Sequence, residues 1–295
     1  MTTFTLPTVP GHVQYGDALL LGPGTPYHVR TLSGWEELPA LDSGTVPRPA
    51  AHGAYPGALL AQPRTITVDD MVIRAPADQI GAALDRLNVG TGVTDEELPL
   101  LIHLDERGPL LAFARVVRRV VPVESGYALG VITGAAIQWE ASDPRRYLPP
   151  EQCAETGLPE PCLDWHRDDA GAFTRGVPAS TGTLAPYNAG TAPTHPVITF
   201  RGPVDTPTLT NSTTGAQLSY RVQLDDGEEL TVDTYASTVT LNGTDNLIGT
   251  AAATSHPEHV FTLPPGYSSL AFSADPSRPP DKRAAAVLRW RSAYW

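Results

Sequence analysis

The 295-residue sequence predicts a mainly β protein of two domains with a single helix. Three observations predict this class. From residue 196 onward, short apolar runs alternate with turn residues such as Asp225-Asp226-Gly227, Asn242-Gly243 and Pro264-Pro265-Gly266, the signature of an antiparallel β-sandwich. Only residues 76–88 carry helical periodicity. Between residues 22 and 63, Gly and Pro recur too densely for helices or long strands. The expected organisation is a β-barrel- or sandwich-like first domain over 1–147, a connector over 148–193, and a β-sandwich over 194–295.

In order, residues 18–21 read as a short strand after Tyr15-Gly16-Asp17. Residues 64–74 read as two strand pieces, with Ile66 and Val68 alternating with Thr65 and Thr67, joined by a bulge or tight turn at Asp69-Asp70. The helix over 76–88 begins on Pro76, places Ile80, Ala83, Leu84 and Leu87 on one stripe, and stops at Gly90 and Gly92. Residues 98–103, 110–123 and 127–140 read as strands, the last two joined at Ser125-Gly126. Arg115, Arg118 and Arg119 form a solvated or interface-facing row on the hairpin. Residues 148–193 are rich in Pro, Gly and Thr, with apolar content around Leu163-Asp164-Trp165, and read as a connector lying along a surface. In the sandwich, eight runs follow from residue 197. In the last, 284–295, parity puts Leu288, Trp290 and Tyr294 on a core face and Arg289 and Arg291 outside.

Composition narrows the function. A hydrophobic fraction of 41% and a charged fraction of 18% are those of a folded chain. A net charge of −12 disfavours nucleic acid or an anionic membrane as binding partner. Residues 1–16 lack the basic and apolar regions of a signal peptide, and no run approaches the roughly 20 apolar residues that span a bilayer. Cys153 and Cys162 read as two free thiols, with a local disulfide as the alternative. The sequence carries no P-loop, GxGxxG, HExxH or GxSxG pattern. His256 and His259 fall in a Pro-containing loop, and acidic pairs such as Asp168-Asp169 and Asp225-Asp226 read as turns. No catalytic, cofactor or metal site is expected, and the chain does not read as an enzyme. A carbohydrate-binding module is the competing reading, with Tyr235 and Tyr267 as the stacking platforms.

The Gly/Pro-rich stretch is not a polar linker. It carries Tyr27, Leu32, Trp35, Leu38, Leu41 and Tyr55. A long irregular segment studded with apolar residues costs conformational entropy to order, so it is expected to clamp against a partner surface.

The order of these features resembles the distal tail proteins of long-tailed, non-contractile phages, the siphovirus-type tail components. The first half carries His52-Gly53-Ala54-Tyr55-Pro56-Gly57, Arg64-Thr65-Ile66-Thr67-Val68-Asp69 and Ala141-Ser142-Asp143-Pro144-Arg145. The second carries Asn188-Ala189-Gly190-Thr191-Ala192-Pro193, His195-Pro196-Val197-Ile198, Leu230-Thr231-Val232-Asp233, Val239-Thr240-Leu241-Asn242-Gly243, Leu263-Pro264-Pro265-Gly266 and the closing Trp290-Arg291-Ser292-Ala293-Tyr294-Trp295. The resemblance implies a ring-forming first domain and a galectin-like second domain. It implies a homo-hexamer joining the tail tube protein to the tail-tip hub protein, with the tape-measure and receptor-binding proteins as further neighbours. DNA would meet it only in passage through the ring. Its place would be the virion tail tip, and the host cytoplasm during assembly. The arm, about 33–63, would embrace the neighbouring subunit, with Trp35, His52, Tyr55 and Arg64 as interface residues.

Overall fold

The computed structural model describes residues 9–104, 106–160, 166–167, 173–174, 180–277 and 280–295. They form two compact units, one of residues up to Pro149 together with Trp295, the other Pro150–Tyr294.

In the first unit, strands β1 (His12–Tyr15), β2 (Leu19–Leu21), β3 (Tyr27–His28), β4 (Thr31–Ser33), β9 (Arg64–Arg74), β10 (Leu98–Leu104), β11 (Gly108–Val120) and β12 (Val131–Ala141) build one antiparallel sheet. Its order is β2-β1-β10-β11-β12-β9-β3, with β4 also on β9. The two end strands β2 and β3 are neighbours in sequence, and the Gly22 N–H donates to the Tyr27 carbonyl across the turn between them (2.8 Å). The sheet therefore nearly closes on itself like a barrel. Its interior holds Tyr15, Leu21, Ile66, Val68, Met71, Leu100, Leu111, Ile137 and Trp139, all buried.

Helix α1 (Ile80–Gly90) buries Ile80, Ala83 and Leu87. The Tyr27 hydroxyl donates to the Ala83 carbonyl (2.6 Å). The helix starts with its apolar stripe at Ile80, later than the expected Pro76, and runs on through Gly90. The Gln79 N–H closes a tight turn onto the Pro76 carbonyl, so the first helical bond runs from Ala83 to the Gln79 carbonyl. The expected break at Asp69-Asp70 is a bulge inside one continuous strand. Asp70 sits at φ 50°, and the β9–β12 register shifts between Ala135 and Ile137. The β11–β12 connection differs from the expected tight turn, because a 3₁₀ turn over Ser125–Leu129 separates the strands. Strand β1, with two of its residues polar, was not separable by sequence pattern from the loop around it.

In the second unit, β14 (Gln152–Gly157), β29 (Ala285–Trp290), β19 (Val197–Arg201), β24 (Glu229–Asp233), β25 (Thr238–Leu241) and β26 (Asp245–Asn246) form one antiparallel sheet in that order. A second sheet runs β17 (Thr183–Leu184), β28 (Leu270–Ser273), β21 (Thr208–Asn211), β22 (Gln217–Ser219). Short ladders add β15 (His166–Arg167) with β16 (Phe173–Thr174), β18 (Tyr187–Asn188) with β27 (Gly266–Tyr267), and β20 (Val204–Asp205) with β23 (Gln223–Leu224). Strands β5 (Leu41–Asp42), β6 (Val46–Pro47), β7 (Ala54–Tyr55), β8 (Leu60–Ala61) and β13 (Arg146–Tyr147) belong to the first unit.

One core cluster joins residues of both large sheets, including Ile198, Phe200, Val232 and Leu288 from one and Leu209, Leu218, Leu270 and Phe272 from the other. This is the packing of a sandwich. Phe200 stacks on Phe272 with centroids 5.8 Å apart.

The parity of the last strand places Leu288 and Trp290 in this core. The strand ends there, so Tyr294, after a break, is only half-buried. Within the expected connector, 148–193, residues 152–157 form a strand. Strand β14 pairs with β29 from Gln152↔Trp290 to Gly157↔Ala285 and forms the sheet edge. Its only apolar residues, Cys153 and Ala154, are adjacent, so the strand shows no period-two alternation. Cys153 is exposed on that edge, while Cys162, Leu163-Asp164-Trp165 and Asp168-Asp169 lie outside the described residues.

Phe200→Ala should lower unfolding stability by about 3–5 kcal/mol, read as a drop in the urea midpoint. Val93→Ala, at a fully exposed site, should leave the midpoint unchanged.

Candidate interaction site: a hairpin arm and its buried root

Strands β4 and β9 lie side by side, with Thr31 opposite Asp69 and Ser33 opposite Thr67. The chain between them must therefore leave and return at neighbouring points, which makes it a hairpin. Within it, β5 (Leu41–Asp42) pairs with β8 (Leu60–Ala61), and β6 (Val46–Pro47) pairs with β7 (Ala54–Tyr55). The Arg48 N–H donates to the Gly53 carbonyl at the tip (3.1 Å). Gly57 is fixed by close approach. A Cβ there would lie 2.4 Å from the Ser43 carbonyl oxygen.

From residue 40 to residue 63 no side chain is buried. Leu38, Val46, Tyr55, Leu59 and Leu60 are each about 60% exposed, and Leu41 44%. The pairing Leu41↔Ala61 and Asp42↔Leu60 puts one leucine on each face of the ribbon. A two-stranded ribbon with no core is marginal in water, and this one has no wholly polar face. Covering each of these side chains would contribute about 1–2 kcal/mol.

The root is built in the opposite way. Arg64, the first residue of β9, is 1% exposed. Its Nε donates to the Pro144 carbonyl (2.7 Å), and its Nη1 lies against the carbonyls of Gly34 (2.8 Å), Trp35 (3.1 Å) and Glu37 (2.7 Å). Burial pulls its pKa down to about 10, with the nearby Arg146 adding to the shift and Glu36 and Glu37 opposing it. The guanidinium stays charged at neutral pH. Gly34 holds φ 78°, and a Cβ there would sit 1.8 Å from the Thr65 carbonyl oxygen. No other residue fits without moving the strand.

Trp35 is 1% exposed. The Arg146 guanidinium lies 5.5 Å from its ring centroid and donates to Glu36 Oε1 (2.8 Å). Arg146 also donates to the Trp295 carbonyl, and Arg107 pairs with the other oxygen of Glu36.

The four residues expected at an interface therefore separate into two pairs. Trp35 and Arg64 meet at the root, buried within their own chain. His52 and Tyr55 are exposed towards the tip, where the Arg48 guanidinium stands 4.9 Å from the Tyr55 ring. Sequence reasoning missed Glu36 and Arg146 at the root and Leu59-Leu60 on the ribbon. Adjacent leucines inside a Gly/Pro-rich stretch were the available signal for the ribbon. In the second unit, a cavity of about 500 Å³ is lined by Pro203, Pro276 and several aspartates. Among the described residues no three His, Cys, Asp or Glu side chains converge to hold a metal.

Residues 189–294 match the family model described as siphovirus-type tail component, C-terminal domain. That match spans most of the second unit. The crystal structure of SPP1 Dit, described as a paradigm of the hub adsorption apparatus in phages infecting Gram-positive bacteria, matches with a TM-score of 0.65 at 12% identity, over 96% of this chain and 99% of that one. The chain thus shares the fold of Dit along nearly its whole length, both units included. Two structures of the phage p2 baseplate in its activated conformation, one with Ca and one with Sr, match at TM-scores of 0.47 and 0.49, with 8% identity. They cover 91% and 95% of this chain, and 91% and 97% of their own. Their similarity is too low to carry weight. No curated protein matches the sequence.

Arg64→Met should cost about 3–5 kcal/mol, because it strands buried carbonyls around the cavity it leaves. Limited proteolysis should then cut at residues 34–63 far faster than in the parent. Tyr55→Ala should leave both stability and root cleavage unchanged.

Proposed function

We propose that this chain is a structural subunit of a phage tail tip, in which six copies form a ring joining the tail tube to the tail-tip hub. The observation that carries this reading is the arm, an apolar ribbon exposed on both faces and fixed to its own domain by a buried guanidinium. A ring of identical heterologous contacts needs one surface that fits a different surface on the next copy. A projecting hairpin supplies the first of these, and clasping the neighbour would remove Leu41, Val46, Tyr55, Leu59 and Leu60 from water. In this reading Tyr55 and His52 touch the neighbour, while Trp35 and Arg64 set the angle at which the arm departs.

The Dit fold and the tail-component family of the second unit support the tail-tip assignment. The tube protein, hub, tape-measure protein and receptor-binding protein are the partners this place implies, and the second domain would be galectin-like. The role is structural, without catalysis or cofactor. The protein would reside in the virion after assembly in the host cytoplasm. The net charge of −12 suits a ring through which DNA passes without adhering.

Mass photometry tests the ring. The closed assembly should weigh about 188 kDa, six times 31.4 kDa. Leu59→Ser combined with Leu60→Ser should leave a folded monomer of 31.4 kDa. A ring that persists in that variant would rule out the arm as its clasp.

A further inference from the structure

Sequence alone makes Tyr235 and Tyr267 equal as exposed aromatics of the sandwich. The structure separates them. Tyr235 has the His195 ring against it at 5.6 Å. Tyr267 is 73% exposed, and Tyr187 beside it is 45% exposed. The two are direct cross-strand partners in the β18–β27 ladder, with ring centroids 4.6 Å apart and planes inclined at 41°.

The ladder under these rings is unusually well fixed for a two-residue strand pair. Asn188 is 1% exposed. Its Nδ2 donates to the carbonyls of Ala192 (2.8 Å) and Leu263 (3.1 Å), and its Oδ1 accepts from the N–H groups of Gly190 (3.0 Å) and Ala293 (3.2 Å). The Trp290 Nε1 donates to the Tyr187 carbonyl (3.0 Å), and the Ser268 N–H to the Pro186 carbonyl (3.0 Å). The backbone that carries both rings is thus fixed, while neither phenol hydroxyl has a partner among the described residues.

We propose that Tyr187 and Tyr267 form a stacking platform for the C–H face of a neutral sugar ring. Rings that pack on each other over a hydrogen-bonded ladder lose less freedom on binding than isolated side chains. Aromatic faces bear partial negative charge and attract polarised C–H groups. The unpartnered hydroxyls supply the few directional bonds that orient a ligand on an apolar surface. A neutral ligand also incurs no repulsion from the acidic chain. This inference stands independently of the arm and the ring.

The test uses the full-length protein on an array of neutral oligosaccharides (gluco-, galacto- and manno-configured, with N-acetylated members), with titration calorimetry on any that bind. Binding by at least one, weakened about tenfold or more by Tyr267→Ala, retained by Tyr267→Trp and unaltered by Tyr235→Ala, supports the platform. A circular-dichroism melt unchanged from the parent verifies that Tyr267→Ala is folded. No binding up to about 10 mM ligand, binding indifferent to both Tyr267 variants, or binding of a proline-rich decapeptide in place of every sugar would overturn it.

Discussion

Arg64 carries a charge into a region with almost no access to water and surrounds it with backbone carbonyls from two places in the chain. Gly34, Trp35 and Glu37 lie on the outgoing limb of the arm, Arg64 itself begins the returning strand, and Pro144 follows the last long strand of the same sheet. One rigid planar group therefore ties both limbs of the hairpin to the barrel. A lysine could not span these acceptors at once. Burying the cation is costly, as its depressed pKa shows. The surrounding dipoles offset that cost only while Gly34 and Trp35 keep their backbone course.

The arrangement divides the arm into two physical regimes. At the root, Trp35, Glu36, Arg64 and Arg146 interlock through hydrogen bonds, an ion pair and a cation–π contact. Beyond Ala40 the ribbon has only its own short ladders. A rigid base under an uncovered apolar ribbon is what a clasp needs, since the base fixes the direction and the ribbon gains its burial from the partner. In the proposed ring the direction would be set before a neighbour arrives, leaving less ordering entropy to oppose assembly.

Much of the fold was legible in the sequence because turn chemistry punctuates strands. The Asp69-Asp70 bulge, the helix stripe of Ile80, Ala83 and Leu87, and the core placement of Leu288 and Trp290 all follow from local periodicity. The root was harder to read. Trp35 stood out as an aromatic in an irregular segment, but irregular backbone has no period, so nothing indicated which way the ring points. Arg64 bonds to Pro144, 80 positions away, a distance no local pattern encodes. Strand β14 was hidden because its only apolar residues, Cys153 and Ala154, are adjacent and give no alternation. Tyr187 drew no notice until the ladder set it against Tyr267.

Amide hydrogen exchange across residues 33–68, compared between dilute monomer and assembled protein, addresses the central account most directly. The account predicts slow exchange at the root in both states, at the amides of β4 and β9. It predicts fast exchange over 40–63 in the monomer and strong protection there on assembly. A root that exchanges as fast as the ribbon, or a ribbon that gains no protection on assembly, would contradict it.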